Sequence, residues 1–287
     1  MIRGISQLEP FEKHIQIKDS EQTLVGSLID NCPQISHQKI KLALKYGAVW
    51  LTTQRKKATR IRRAKKILSI GDEVHLYYNE SILFSEISQA RLIADEGEYS
   101  VWNKPCGMFS QGTKWGDHHS IARWVELFGL EKYNLKLRPT FLVHRLDRAT
   151  SGLIIVAHSK KMSSRLAQLF ETRQVKKHYT ASVHGDFSNS LVSKIIDEEI
   201  DGKKATTIIL SSSHEPENNL SNLTLEIKTG RKHQIRKHLS MLGYPIIGDR
   251  LYGNTLISQE TSDLMLTSHL LEFECPIDQL LRTYTIN

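Results

Sequence analysis

The stretch Leu142–Ala157, LVHRLDRATSGLIIVA, constrains this chain more than any other. It holds the longest uninterrupted apolar run, the five residues Leu153–Ala157. A membrane-spanning helix needs about 20 such residues, so none is expected. The stretch reads as two apolar strands, Phe141–Val143 and Gly152–Ala157, around a polar loop from His144 to Ser151. After it, Ser159–Arg173 is predicted helical, because Met162, Leu166, Leu169 and Phe170 fall at i, i+4, i+7 and i+8. Glu98–Asn103, Lys177–His184 and Leu223–Lys228 are predicted strands. Arg231–Leu242 is a second predicted helix, buried through Ile235, Leu239 and Leu242 and closed by Gly243.

Composition narrows the class. The 287 residues are 39% apolar and 24% charged, enough for a packed core. Cys32, Cys106 and Cys275 are scattered, which argues against a disulfide scaffold and a zinc site and fits a reducing, cytoplasmic setting. The opening MIRGISQLEPFEK has no apolar core of a secretory signal. The net charge of +8 suggests a polyanionic partner. Much of the excess sits in Arg55–Lys66, where eight of twelve residues are cationic and none is anionic. Such density is a candidate phosphate-binding surface, with Arg60, Arg62 and Arg63 as expected RNA contacts.

Around this cluster, Thr23–Asp30 and Ile35–Tyr46 read as short amphipathic helices, the second capped by Ser36 and closed by Gly47. A strand at Ala48–Leu51, a Gly71-Asp72 turn and a strand at Glu73–Tyr78 complete the unit. This order resembles the S-four-type RNA-binding domain, named after a ribosomal protein. In that domain Asn-Gly usually follows the first strand; here the residues are Thr52-Thr53-Gln54. The expected organisation is a small α/β RNA-binding domain over 20–80, a linker over 81–91 and a catalytic domain over 92–287.

Asp147 stands in the polar loop with Arg145 and Arg148 beside it. Neighbouring guanidinium groups favour the charged carboxylate, which suits a nucleophile or electrostatic anchor better than an acid. His144, Asp147 and Ser151 do not make a hydrolase triad on this reading, because Gly-x-Ser-x-Gly is missing.

The loop and its successors closely resemble the RluA-type RNA pseudouridine synthases. His144–Leu153 matches HRLD-x-x-TSG-L, and Lys104-Pro105-x-Gly107 precedes it. Lys177-x-Tyr179, then Thr229–Leu239 (TGRKHQIRKHL), then Pro245–Gly253 follow in order. A late Leu-His-Ala motif occurs as Leu266-Thr267-Ser268-His269, displaced and without the Ala. The resemblance implies an α+β catalytic domain, with a mixed, mostly antiparallel sheet flanked by helices. It implies cofactor-free, metal-free isomerisation of uridine in structured RNA. By resemblance Asp147 attacks the ribose or takes a proton from it. Tyr179 stacks on the loosened base, Arg236 holds Asp147 ionised and Arg145 fills the place of the flipped base. Arg148, Arg231 and Lys232 are expected RNA contacts. Ribosomal RNA of the large subunit is the first expected partner and transfer RNA the second. A non-catalytic RNA-binding or ribosome-assembly protein on the same fold is the rival from another class.

Overall fold

A computed structural model describes residues 8–19, 21–54, 57–187, 194–253 and 262–286. The chain divides into two compact units. One comprises Met1–Ile87 with Gln111–Arg123, the other Ser88–Ser110 with Trp124–Asn287.

In the first unit, β1 (Phe11–Gln16), β2 (Val49–Thr52), β3 (Thr59–Arg60) and β4 (Glu73–Tyr78) form an antiparallel sheet in the order β1-β4-β2-β3. Helices Leu24–Asn31 and His37–Lys45 begin at Thr23 and Ser36, whose hydroxyls accept from the Gly26 and Lys39 amides. Each such cap stabilises its helix by about 1 kcal/mol. Ile40, Ala43 and Leu44 recur at helical spacing and are buried with Leu24 and Leu28 against Val49, Leu51, Val74 and Leu76. β1 escaped the sequence reading because it buries Ile15 alone, leaving almost no alternation to detect.

The basic cluster is divided by its partners. Arg60 donates from Nε to the Gly47 carbonyl at 2.6 Å and from Nη1 to Asp117 at 3.2 Å, and its Nη2 donates to the Thr113 carbonyl. Its guanidinium also lies over the Trp50 ring at 4.5 Å. Arg62 donates to the same Asp117. These two arginines therefore hold the segment Gln111–Arg123 within the unit, a task that the sequence did not assign to them. Arg63, Lys57, Lys65 and Lys66 are exposed, with no carboxylate partner among the described residues. Arg55 and Lys56 lie outside the described residues.

Among the described residues the second unit is built on ten strands. They are β5 (Arg91–Asp95), β6 (Tyr99–Lys104), β7 (Phe141–Leu142), β8 (Ser151–Ala157), β9 (Lys176–His184), β10 (Ile195–Ile196), β11 (Thr207–Glu215), β12 (Leu220–Ile227), β13 (Leu266–Glu274) and β14 (Leu281–Thr285). The sheet order is β10-β11-β12-β9-β13-β8-β6-β5, with β14 beside β13 and β7 beside β8. Every ladder is antiparallel except β13 with β8, where Thr267 meets Ser151 and Ser268 meets Gly152. The α+β class with a mixed, mostly antiparallel sheet is thus as expected.

β8 is buried at six of its seven positions, as an apolar run covered on both faces must be. Helix Lys160–Glu171, capped by Ser159, packs Met162 and Leu166 onto Tyr99, Leu153, Ile155 and Phe273. Among the described residues no helix is long and apolar enough to cross a membrane.

Candidate active site

The polar loop between β7 and β8 is fixed by buried groups at both ends. Lys104 is fully buried at the end of β6, and its ammonium donates to the carbonyls of Pro105, Met108 and Arg148 at 3.1, 2.9 and 3.4 Å. Burial pulls its pKa down to about 8. The Ser110 hydroxyl grips Leu146 twice, donating to its carbonyl at 2.6 Å and accepting from its amide at 2.9 Å. His144 accepts the Ile155 amide on Nε2 at 3.0 Å and stacks on Phe170, and burial pushes its pKa down to about 3. It is a neutral acceptor that pins the loop, with no free nitrogen lone pair for a serine. Ser151 is likewise engaged, with Thr267 Oγ1 at 2.7 Å and the Leu266 carbonyl at 3.3 Å, so the hydrolase triad fails on geometry. Gly152 has φ +111°, and a Cβ there would meet the Ser268 carbonyl oxygen at 2.3 Å. Only glycine lets β8 approach β13 this closely.

Between these clamps Asp147 projects its carboxylate into a cleft of about 240 Å³, whose walls include Arg145, Tyr179, Arg231, Lys232 and Arg236. Asp147 and Arg236 also line a neighbouring cavity with Cys106 and Arg148. The structure therefore brings six of the sequence-identified residues to one cleft and Arg148 to its flank. Arg60, Arg62 and Arg63 belong to the other unit.

The partners within the cleft differ from expectation. Arg236 makes no direct hydrogen bond to Asp147, although the Asp147 charge adds to the rise in its pKa. It grips Asp249 through two hydrogen bonds, Nε to Oδ2 at 2.8 Å and Nη2 to Oδ1 at 2.6 Å, with both residues buried. Burial opposes both charges, yet the pairing holds the Arg236 pKa above and the Asp249 pKa below their ordinary values. Asp249 also accepts the amides of Leu251 and Tyr252. Among the described residues the cation-capable group in ion-pair range of Asp147 is His233, whose Nε2 is 3.7 Å from Oδ1. Neither Arg145 nor Arg148 takes that place. Arg145 is exposed at the cleft, while Arg148 donates from Nε to the Gly107 carbonyl and lies over Phe109.

His233 is aimed by its backbone. It precedes helix Gln234–Met241 in the left-handed region, φ 56°, at a cost of about 1 kcal/mol for a residue with a Cβ. Its Nδ1 meets the Tyr252 hydroxyl at 2.9 Å, and Tyr252 in turn carries the Arg236 guanidinium over its ring at 5.1 Å. Burial lowers the His233 pKa and the Asp147 charge opposes that fall. Sequence reasoning gave His233 and Asp249 no role. Their signal was their place inside the TGR-x-HQIR and Gly-Asp-x-Leu-Tyr-Gly matches.

Gln234 secures the helix start. It donates to the Thr206 carbonyl and Thr207 hydroxyl, and accepts from the Thr229 hydroxyl and the Arg231 amide. Tyr179 enters from β9, where it pairs with Leu225 and Ser268. It is 8% exposed, and burial pushes its phenol up to about 12, with the Ser268 hydroxyl opposing and the Asp147 charge adding to the rise. It is therefore a neutral phenol, presented as a flat wall beside a carboxylate. Among the described residues, His14, Glu73 and His75 are close enough to share a cation. They belong to the first unit, and among the described residues no such group surrounds Asp147.

A carboxylate, a buried phenol and several cations around one cleft define an enzyme site for an anionic, planar substrate. Comparison with known proteins gives it a family. The sequence profile described as RNA pseudouridylate synthase matches residues 98–241. The "Ribosomal large subunit pseudouridine synthase D" of Borreliella burgdorferi is 30% identical over 252 residues, covering 76% of this chain and 72% of that protein. The "Dual-specificity RNA pseudouridine synthase RluA" of Haemophilus ducreyi is 35% identical over 207 residues, covering 64% and 86%. Among solved structures, human RNA pseudouridylate synthase domain containing 4 superposes with a TM-score of 0.53 at 26% identity, over 69% of this chain and 88% of that one. Human RNA pseudouridylate synthase domain containing 1 shares the fold, with a TM-score of 0.56 at 21% identity over 71% and 85%. The chain belongs to the RNA pseudouridylate synthase family, of RluA type. It is an isomerase that converts uridine in RNA to pseudouridine.

Proposed function

We propose that the chain modifies ribosomal RNA of the large subunit and that Asp147 is the group that meets the ribose of the target uridine. The observation that carries this reading is the position of Asp147 in the cleft, with Tyr179 and Arg145 on its walls. In the isomerisation the bond from C1′ to N1 breaks, the base turns, a bond from C1′ to C5 forms, the C5 proton leaves and N1 takes one up. Asp147 supplies the anion at C1′ or the base at its neighbour. Tyr179 offers a stacking face, worth about 1–3 kcal/mol for a base. Its hydroxyl is a candidate relay for the C5 proton. Arg145 occupies the gap left when the nucleotide is extruded, a step that costs a few kcal/mol. Arg231, Lys232 and Arg148 contact the strand. Arg236 supports the site by holding Asp249 and Tyr252.

The S-four-like unit, over 20–80, adds phosphate affinity through Arg63 and the neighbouring lysines. The large-subunit assignment rests on the likeness to the large-subunit synthase of Borreliella burgdorferi. The "dual-specificity" name of the Haemophilus relative favours testing more than one class of RNA, transfer RNA among them. The test incubates wild type and Asp147→Ala with unmodified 23S, 16S and transfer RNA transcripts, then maps carbodiimide-dependent reverse-transcription stops. New stops in 23S with wild type alone, at RNA affinities within a few fold, are the expected result. Stops that persist with Asp147→Ala would remove Asp147 from the chemistry. Stops confined to transfer RNA would move the target there.

A further inference from the structure

A second cavity, of about 380 Å³, adjoins the first and shares Arg145, Tyr179 and Arg231 with it. Its lining is cationic, with Arg145, Arg173, Lys177, Lys228 and Arg231, and Glu171 is the sole carboxylate in it. Lys177 is the inner member. It stands two residues before Tyr179 on β9, so both side chains leave the same face, about 7 Å apart along the strand. Lys177 is 8% exposed, and its ammonium has no hydrogen-bond or ion-pair partner among the described residues. An ammonium has three donors and no acceptor of its own, and on this largely buried side chain its nitrogen reaches solvent through the cavity, where an anion can meet it. Burial lowers its pKa, with the Arg173 charge adding to the fall. The carboxylate whose field opposes that fall, Glu226, is held by Lys228. The cavity thus gathers five cationic side chains around one carboxylate, the lining that suits an anion.

We infer that this cavity is a subsite for a backbone phosphate of the RNA strand, adjacent to the nucleotide whose base lies on Tyr179, with Lys177 as its inner cation. The inference rests on the proposed reaction at Asp147 and specifies how the strand is held beside it. A phosphate there satisfies the Lys177 donors and relieves the mutual repulsion of Lys177, Arg173 and Lys228. It also fixes where the strand runs, because Tyr179 and Lys177 share one rigid strand in the middle of the sheet.

The test measures binding of the full chain to 23S and transfer RNA transcripts across a range of salt. It compares wild type, Lys177→Met and Lys177→Arg, each with its melting temperature. Loss of one phosphate contact should make the log–log salt slope of Lys177→Met shallower by about 0.7, with affinity about five-fold weaker near 0.1 M salt. Lys177→Arg should keep most of the slope. A second readout needs no variant: wild-type lysines are acetylated with and without RNA, and the Lys177 peptide is quantified by mass spectrometry. RNA, and inorganic phosphate in excess, should protect Lys177. An unchanged slope in folded Lys177→Met overturns the subsite, as does equal Lys177 labelling with and without RNA. Should Lys177→Met not fold, the labelling decides. A wild type that forms no pseudouridine in these transcripts yet keeps the Lys177-dependent slope counts against the target assignment and leaves the subsite standing. Pseudouridine formed at a Lys177-independent slope does the reverse.

Discussion

Asp147 and Asp249 share a side chain and have opposite surroundings. Asp249 accepts two hydrogen bonds from Arg236 and two from backbone amides, in full burial. Asp147 has a long contact to His233 and a side chain 20% exposed to the cleft. Removing one partner of a buried pair typically costs about 3–5 kcal/mol. Asp249→Asn should therefore lower the unfolding free energy by about 3 kcal/mol, read from urea denaturation. Asp147→Asn should stay within about 1 kcal/mol of wild type in the same experiment. Equal losses would mean that Asp147 carries the fold as well. That Asp147, Arg145 and Tyr179 share one cleft was legible in the sequence, because each stands inside a contiguous motif. The partner of Arg236 was not. The choice between Asp147 and Asp249 depends on how the segment after helix Gln234–Met241 folds back, and no local pattern states that.

At the scale of elements, the basic segment after β2 shows how composition can mislead. Its charges looked equivalent in the sequence. In the structure Arg60 and Arg62 are claimed by Asp117, 57 and 55 positions further along the chain. Two separable effects are expected. Arg60→Ala should destabilise the fold by roughly 1–3 kcal/mol, because it leaves the Gly47 and Thr113 carbonyls without that donor. Thermal denaturation measures this. Neutralising Lys57, Arg63, Lys65 and Lys66 together should leave the melting temperature nearly unchanged and flatten the salt dependence of RNA binding by up to about 3 in slope. A flat response to the second set would make these cations a solvated loop. Three helix-end residues, by contrast, were legible one by one: Ser36 serves as a cap, and Gly47 and Gly243 take positive φ, at 76° and 83°.

For the whole molecule, buried histidines set a pH limit. Burial holds His144 near 3 and His118 near 4, and lowers His158 and His238 as well. In the unfolded chain each titrates near 6.5. Between those values the unfolded state binds more protons, so stability falls as pH drops below about 6.5 and is flat in these groups above it. Each such histidine contributes a slope of up to about 1.4 kcal/mol per pH unit. Glu80 and Asp249, held low by Lys39 and Arg236, add to the loss at more acid pH. Melting temperatures taken from pH 7.5 to pH 4.5 should decline steeply below about 6.5, and a level profile would contradict this account. The sheet as a whole was only partly legible. β6, β8, β9 and β12 have apolar or alternating signals, whereas β11 runs through Ser211-Ser212-Ser213 and is exposed along most of its length. Its place beside β12 comes from pairing rather than from pattern.

The chain passes between its two units three times, after Ile87, Ser110 and Arg123. A gene fragment ending at Ile87 would encode the first sheet without the carboxylate that Arg60 and Arg62 hold. One starting at Ser88 would carry Gln111–Arg123 as a tongue stripped of its own unit. The N-terminal unit is thus no detachable cassette. Recombination could lend it to another enzyme, or delete it from this one, only by cutting and rejoining in two places at once.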